Sequence, residues 1–158
     1  MAGITTHILD TARGAPARDV SIKLEYLEGK ENWHLVGSGK TNSDGRCPQL
    51  LPTGHVLAGG TYRISFDTAG YFASQNVETF YPKVDIFFQL RDPHQHYHVP
   101  LLLAPWGYST YRGKLTFLCC GEGNELELVD IEEAFVGKLE GGDDQESHEG
   151  EGHERCAQ

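Results

Sequence analysis

Three of the chain's 8 histidines crowd into the stretch HQHYH, residues 94–98. His96 and His98 are two apart, so on a strand their side chains share a face while Tyr97 points away. An imidazole with an unperturbed pKa of ~6.5 gives or takes a proton near neutrality, and a His-x-His pair can also begin a metal site. Zinc takes three or four protein ligands, and no cysteine or carboxylate is spaced to complete such a set, so no metal is expected. His7 extends the proton-transfer reading, because in THILD it alternates onto the face of Thr5 and Leu9. Arg46 follows the turn signal SDG and precedes Cys47 and Pro48, which sets a permanently charged, planar guanidinium at a strand edge or loop mouth. Taken singly, these residues keep plainer readings open: His96 as the cap of a loop, His98 as a hydrogen-bonded core residue, Arg46 as a surface cation.

Such side chains need a frame, and the frame reads as strands. In DVSIKLEYL the residues Val20, Ile22, Leu24 and Tyr26 alternate with Ser21, Lys23 and Glu25, the period-two pattern of a half-buried strand. GTYRISFDT and KVDIFFQL repeat it, and GITTHILD, HLVGSGKT, HYHVPLLLA and GYSTYRG are further strand candidates. Turn signals punctuate them at Arg13–Pro16, NSDGR, AGG and RDP. Short strands at this spacing, in 158 residues of which 39% are apolar, describe one all-β domain, a sandwich or a barrel. The interval AGYFASQNVETF, residues 69–80, is long for a hairpin loop and predicts a short helical turn around Phe72–Val77, closed by Pro82.

Charge divides the chain. Residues 1–113 hold 10 acidic and 10 basic side chains, whereas residues 114–158 hold 13 and 3, so the formal net charge of -10 belongs to the second segment. A neutral-to-acidic surface gives no electrostatic support to nucleic-acid binding. MAGITTHILD has no features of a secretory signal, and no apolar run approaches the ~18 residues of a membrane span, so a soluble, intracellular protein without membrane partners is expected. Of 4 cysteines only Cys47 lies within residues 1–113, and one thiol cannot staple a domain, so the fold must be held by packing. Beyond Gly113, ELELVDIEEAFVGKLE predicts a weakly amphipathic helix through Leu126, Val129, Ile131, Phe135 and Leu139. The following GGDDQESHEGEGHERCAQ predicts disorder, since it has almost nothing apolar to bury.

Five segments together carry a resemblance: ITTHILDTARGAPA, TNSDGRC, GTYRISFDTAGYF, ETFYP and HYHVPLLLAPWGYSTYRG. They resemble the 5-hydroxyisourate hydrolases, the enzymatic branch of the transthyretin-like family, continuously over residues 4–113. Those enzymes characteristically end in Tyr-Arg-Gly-Ser, an ending that hormone-carrying transthyretins lack together with the catalytic histidines. Here Tyr111, Arg112 and Gly113 match, and Lys114 stands in the serine's place.

The resemblance implies a β-sandwich of two four-stranded sheets with one short helix over residues 1–113, to which the composition adds an acidic, partly disordered extension over 114–158. It implies a homotetramer, a dimer of dimers whose central channel holds the active sites, and a small purine-derived substrate. The implied reaction opens 5-hydroxyisourate to 2-oxo-4-hydroxy-4-carboxy-5-ureidoimidazoline in urate degradation, without a cofactor. Carried over by position, the catalytic residues are His7, Arg46 and His98, and the substrate-binding residues are His7, Arg46, Tyr111 and Arg112. The competing expectations are a non-catalytic carrier of a small ligand, and an enzyme impaired by its extension. Gly113-Lys114 can be encoded GGT-AAG, which contains a common intron start, so a retained intron is one origin for that extension. The expected location is the cytoplasm, with the peroxisome as the alternative.

Overall fold

The computed structural model describes residues 3–113 together with the backbone of Leu115–Leu118 and Glu127–Asp130. In chain order the elements are β1 (Gly3–Thr5), β2 (Ile8–Asp10), β3 (Ala15–Pro16), β4 (Ser21–Glu28), β5 (Asn32–Lys40), β6 (Gly60–Phe66), α1 (Thr68–Ala73), β7 (Val84–Leu90), β8 (His96–His98), β9 (Leu101–Ala104), β10 (Gly107–Thr110), β11 (Leu115–Leu118) and β12 (Glu127–Asp130). Among the described residues no helix is long and apolar enough to cross a membrane.

One sheet has the order β5-β4-β6-β7 and is antiparallel throughout. Its register aligns the apolar positions of successive strands into rows across the inner face: Ile22–Phe66–Val84, Leu24–Ile64–Ile86 and Tyr26–Tyr62–Phe88. The last row is aromatic, with ring centroids 5.1 Å apart for Tyr26–Tyr62 and 5.9 Å for Tyr62–Phe88, within the range where such rings attract. The one irregularity is a bulge at Leu24/Glu25, where Val36 is the extra residue on β5.

The facing sheet has the order β10-β9-β2-β3, and β1 and β8 continue β2 and β9 beyond a short break. The break involves no slip, because Thr5 faces His98 and Ile8 faces Leu101 in a single parallel register. Antiparallel pairing of β10 with β9 runs on in the same way: Thr110 faces Leu101, and the isolated bridge His98–Gly113 keeps that register. Counted through both ladders, Pro100 falls between His7 and Tyr111. A proline has no N–H to give a neighbouring strand, which accounts for the interruption on the Tyr111 side.

Ile4, Ile8, Tyr97, Val99, Leu101 and Leu103 turn inward from this sheet and meet the rows of the other sheet in one core. Helix α1 starts at Asp67, whose carboxylate accepts from the Gly70 N–H at 3.0 Å. Its Tyr71 hydroxyl donates to the buried Asp10 carboxylate at 2.8 Å, tying the helix to β2.

Two expectations need correction. The helix predicted around Phe72–Val77 instead spans Thr68–Ala73, because the Asp67 cap starts it a turn earlier. Glu127–Asp130, placed in a helix by its periodicity, is a strand paired antiparallel with Leu115–Leu118, with Leu115 opposite Asp130. Cross-strand pairing outweighs a weak local helical pattern there. The rest of that predicted helix, and the segment predicted to be disordered, lie outside the described residues.

Candidate active site

Arg46 is brought to His7 by a five-residue turn. The Asn42 side-chain oxygen accepts from the Asp44 N–H at 3.1 Å and the Arg46 N–H at 2.9 Å, while the Asn42 N–H donates to the Arg46 carbonyl at 2.8 Å. Asparagine suits this position because its side chain bonds backbone two to four residues on. Gly45 closes the turn at φ 70, in the left-handed region that favours glycine, and a Cβ there would lie 2.4 Å from the Ile8 carbonyl oxygen. The Ile8 N–H donates to the Gly45 carbonyl at 2.9 Å, so the turn becomes a fifth edge beside β2 and Arg46 pairs with His7.

His98 is placed by β8 and β1. Its Nδ1 lies 2.9 Å from Thr5 Oγ1, and the same hydroxyl lies 2.7 Å from His96 Nε2. On its other side the His98 backbone carbonyl accepts from the Gly113 N–H at 3.0 Å. The ring rests against Gly113, where a Cβ would come within 2.6 Å of His98 Cδ2. His98 is 1% exposed. Gly113 of the terminal motif is therefore required by the seat of an imidazole.

The register sets the mutual arrangement. Arg46, His7, Pro100 and Tyr111 fall in one row across the sheet, and Thr5, His98 and Gly113 fall in the next. Cross-strand partners share a face, and rows two residues apart are separated by roughly 7 Å at ~3.3–3.4 Å per residue. That face is the one turned away from the core, since Ile4, Thr6 and Ile8 are buried while Thr5 and His7 are half-buried.

Arg112 lies beyond the end of β10 and is held outside that row. Its guanidinium carbon lies 5.0 Å over the Tyr97 ring and one of its NH2 groups donates to Gln95 Oε1 at 3.2 Å. A cavity of about 540 Å³ opens at the strand ends beside β7, lined by His98, Tyr111 and Arg112 together with Phe88 and Tyr97, but not by His7 or Arg46. The cavity thus reaches only part of the candidate set.

Thr5 and His96 are the residues that sequence reasoning did not assign. Alternation put Thr5 on the face of His7, but its pairing with a residue 93 positions away is a property of the register. Among the described residues no three of His, Cys, Asp and Glu converge as a metal-ligand set.

Chemically the arrangement offers two imidazoles in adjacent rows, a guanidinium beside one of them, and a tyrosine at the end of the same row. It can move protons at two points and hold a developing negative charge between them.

Comparison with known proteins concerns the chain as a whole. The model of a family described as HIUase/Transthyretin matches residues 4–113. The mouse 5-hydroxyisourate hydrolase is 46% identical over 111 residues, covering 70% of this chain and 93% of its own. Among solved structures, the Klebsiella pneumoniae 5-hydroxyisourate hydrolase superposes with TM-score 0.60 at 32% identity, over 72% of this chain and 94% of the other. Transthyretin from Sparus aurata superposes with TM-score 0.66 at 29% identity, over 71% and 97%.

Proposed function

The chain belongs to the HIUase/transthyretin family, and on that premise we propose that it is a 5-hydroxyisourate hydrolase acting in urate degradation. The observation that carries this reading is the pairing of Arg46 with His7 in the row next to His98, on one face of one sheet. A carrier of an apolar ligand gains nothing from two imidazoles and a guanidinium that must lose water when the ligand binds.

In the reaction, a water oxygen adds to a lactam carbonyl carbon of the substrate while one of its protons leaves. The carbonyl oxygen becomes negative, the ring C–N bond breaks, and the released nitrogen takes a proton, leaving on the opened ring a carboxylic acid that gives its remaining proton to solvent. His7 and His98 divide the proton transfers, since imidazole is the side chain suited to giving and taking a proton near neutrality. Arg46, charged at any working pH, stabilises the developing oxyanion and orients the planar ring. Tyr111, at the end of the Arg46–His7 row, bounds the ring through its face or hydroxyl.

Further copies of the chain complete the site. Among the described residues strands β7 and β10 are sheet edges, and Phe87, Trp106 and Tyr108 on or beside them are 58%, 66% and 42% exposed. Unpaired edges bearing apolar side chains are surfaces that association covers. We assign them to a homotetramer, a dimer of dimers in which the face carrying His7 and Arg46 lines a channel.

Ultraviolet decay of freshly generated 5-hydroxyisourate, measured against its spontaneous rate, tests the reading. The protein should accelerate the decay, and His98→Ala or Arg46→Ala should lower kcat/KM by at least ~10²-fold with the tetramer intact. Wild-type protein that leaves the spontaneous rate unchanged would instead favour a carrier. Since β11 begins two residues beyond Gly113, a chain ending at Gly113 belongs in the same assay, and a faster decay there would show that the extension hinders the site.

A further inference from the structure

One hydroxyl stands between two imidazoles. Thr5 Oγ1 is 2.7 Å from His96 Nε2 and 2.9 Å from His98 Nδ1, on adjacent strands whose register holds all three groups in place. A hydroxyl has one hydrogen and two lone pairs, and among the described residues Thr5 Oγ1 bonds only these two rings, so accepting from both would leave its hydrogen without an acceptor; it donates to one ring and accepts from the other.

For two neutral rings that leaves two states. In the first, Thr5 donates to His98 Nδ1 and accepts from His96 Nε2–H. His98 then carries its own hydrogen on Nε2 and has no lone pair there with which to take a proton from water. In the second, Thr5 donates to His96 Nε2 and accepts from His98 Nδ1–H, so the His98 lone pair lies at Nε2.

Only the second state survives the proton transfer itself. When His98 Nε2 accepts a proton the ring becomes a cation with hydrogens on both nitrogens, and its Nδ1–H goes on donating to Thr5 without any hydroxyl turning. When that proton passes to the leaving nitrogen the starting state returns, with every proton accounted for. The first state would set two hydrogens against each other as soon as His98 became charged.

We propose that Thr5 is a positioning residue of the hydrolytic site, its hydroxyl holding His98 in the Nδ1–H tautomer by donating to a neutral His96. This rests on the hydrolase reading above and adds two residues to it. His96 acts through Thr5 and the substrate never touches it. The role parallels the carboxylate that fixes a catalytic histidine's tautomer in serine proteases, where disturbing the tautomer costs rate while geometry stays intact.

The test uses the full chain and three substitutions. Thr5→Val keeps the β-branched shape but removes the hydroxyl, Thr5→Ser keeps the hydroxyl, and His96→Leu removes the acceptor without touching Thr5. Nitrogen-15 NMR of the imidazoles should find wild-type His98 protonated at Nδ1, and this fraction should drop in Thr5→Val and His96→Leu. Both variants should lose roughly 10–10²-fold in kcat, at or below the least that a general acid–base group itself supplies, with KM little changed. Thr5→Ser should restore both the tautomer and most of the kcat. A wild-type His98 carrying its hydrogen on Nε2, or a Thr5→Val enzyme with unchanged kcat, would overturn the proposal. If Thr5→Val does not fold, the wild-type tautomer and the His96→Leu kinetics still decide. A wild type with the Nδ1–H tautomer but no effect on substrate decay would leave the hydrogen-bond assignment standing and remove the hydrolase reading instead.

Discussion

In the β5-β4-β6-β7 sheet, each inner row is apolar across β4, β6 and β7, and the pairing runs for up to eight residues with one bulge. The sheet built on β2 and β9 is divided at His7 and Pro100 into short pieces, and it carries Thr5, His7, His98 and Tyr111, with Arg46 added at its edge. The contrast has a physical origin. A strand buried on one face gains from regular alternation, whereas a site needs polar side chains on the opposite face, a proline where a ladder bond is given up, and glycines where rings approach the backbone. Stability and chemistry are thereby assigned to opposite sheets, and substitutions in the two should separate cleanly.

The largest expected effect comes from the regular sheet. Phe66 is fully buried between Ile22 and Val84 in one row. Phe66→Ala should cost about 3–5 kcal/mol of stability, from lost burial and the cavity left behind. Denaturant unfolding at fixed protein concentration measures this. The fraction that stays folded should keep near-wild-type kcat/KM, and a proportionate loss of activity in native molecules would break the division between the sheets.

A smaller and differently composed effect is expected at Gly45. Alanine there must adopt φ 70 and bring its Cβ to 2.4 Å from the Ile8 carbonyl oxygen. The strain should lower stability by ~1–3 kcal/mol. Relief by shifting the turn would draw Arg46 from His7, and a displacement of ~1 Å at a reacting site can cost on the order of 10²-fold in rate. Gly45→Ala should therefore lose more in kcat/KM than its stability change explains. Equal loss in both would mean that the turn is only structural.

The two regions also differ in how far they can be read before any coordinates. Val20, Ile22, Leu24 and Tyr26 announce their sheet by alternation alone, because each strand's burial is decided by its own period. The Asn42–Arg46 turn is legible for the same reason, since Asn42 and Gly45 act within five residues. The Thr5–His98 hydrogen bond depends on which residues of two distant segments face each other, and no local pattern specifies a parallel register. Arg112 shows the same gap from the other side. It neighbours Tyr111 in a motif, yet its guanidinium is held over Tyr97 and bonded to Gln95, contacts that no local pattern announces. The Glu127–Asp130 strand was illegible because its partner, Leu115–Leu118, decides it.

Cys47 offers the smallest test, at the point where the two sheets meet. The same peptide turns Arg46 outward toward His7 and Cys47 inward, where its sulfur lies 2.6 Å from the position a Cβ on Gly39 of β5 would take. Burial pushes the thiol's pKa up, and a backbone hydrogen bond at Gln49 only partly opposes this. The folded state therefore holds its proton at a pH where the unfolded chain, near ~8.5, begins to lose it. Stability from this group is complete below the unfolded value and declines as pH rises above it. Alkylation at pH 8, followed by peptide mapping, should find Cys47 at least ~10-fold slower in the native protein than in denaturant, since only the accessible thiolate reacts. Gly45→Ala should accelerate the reaction at Cys47 and Phe66→Ala, in its folded fraction, should not, because the first loosens the turn that carries Cys47 and the second leaves that turn in place.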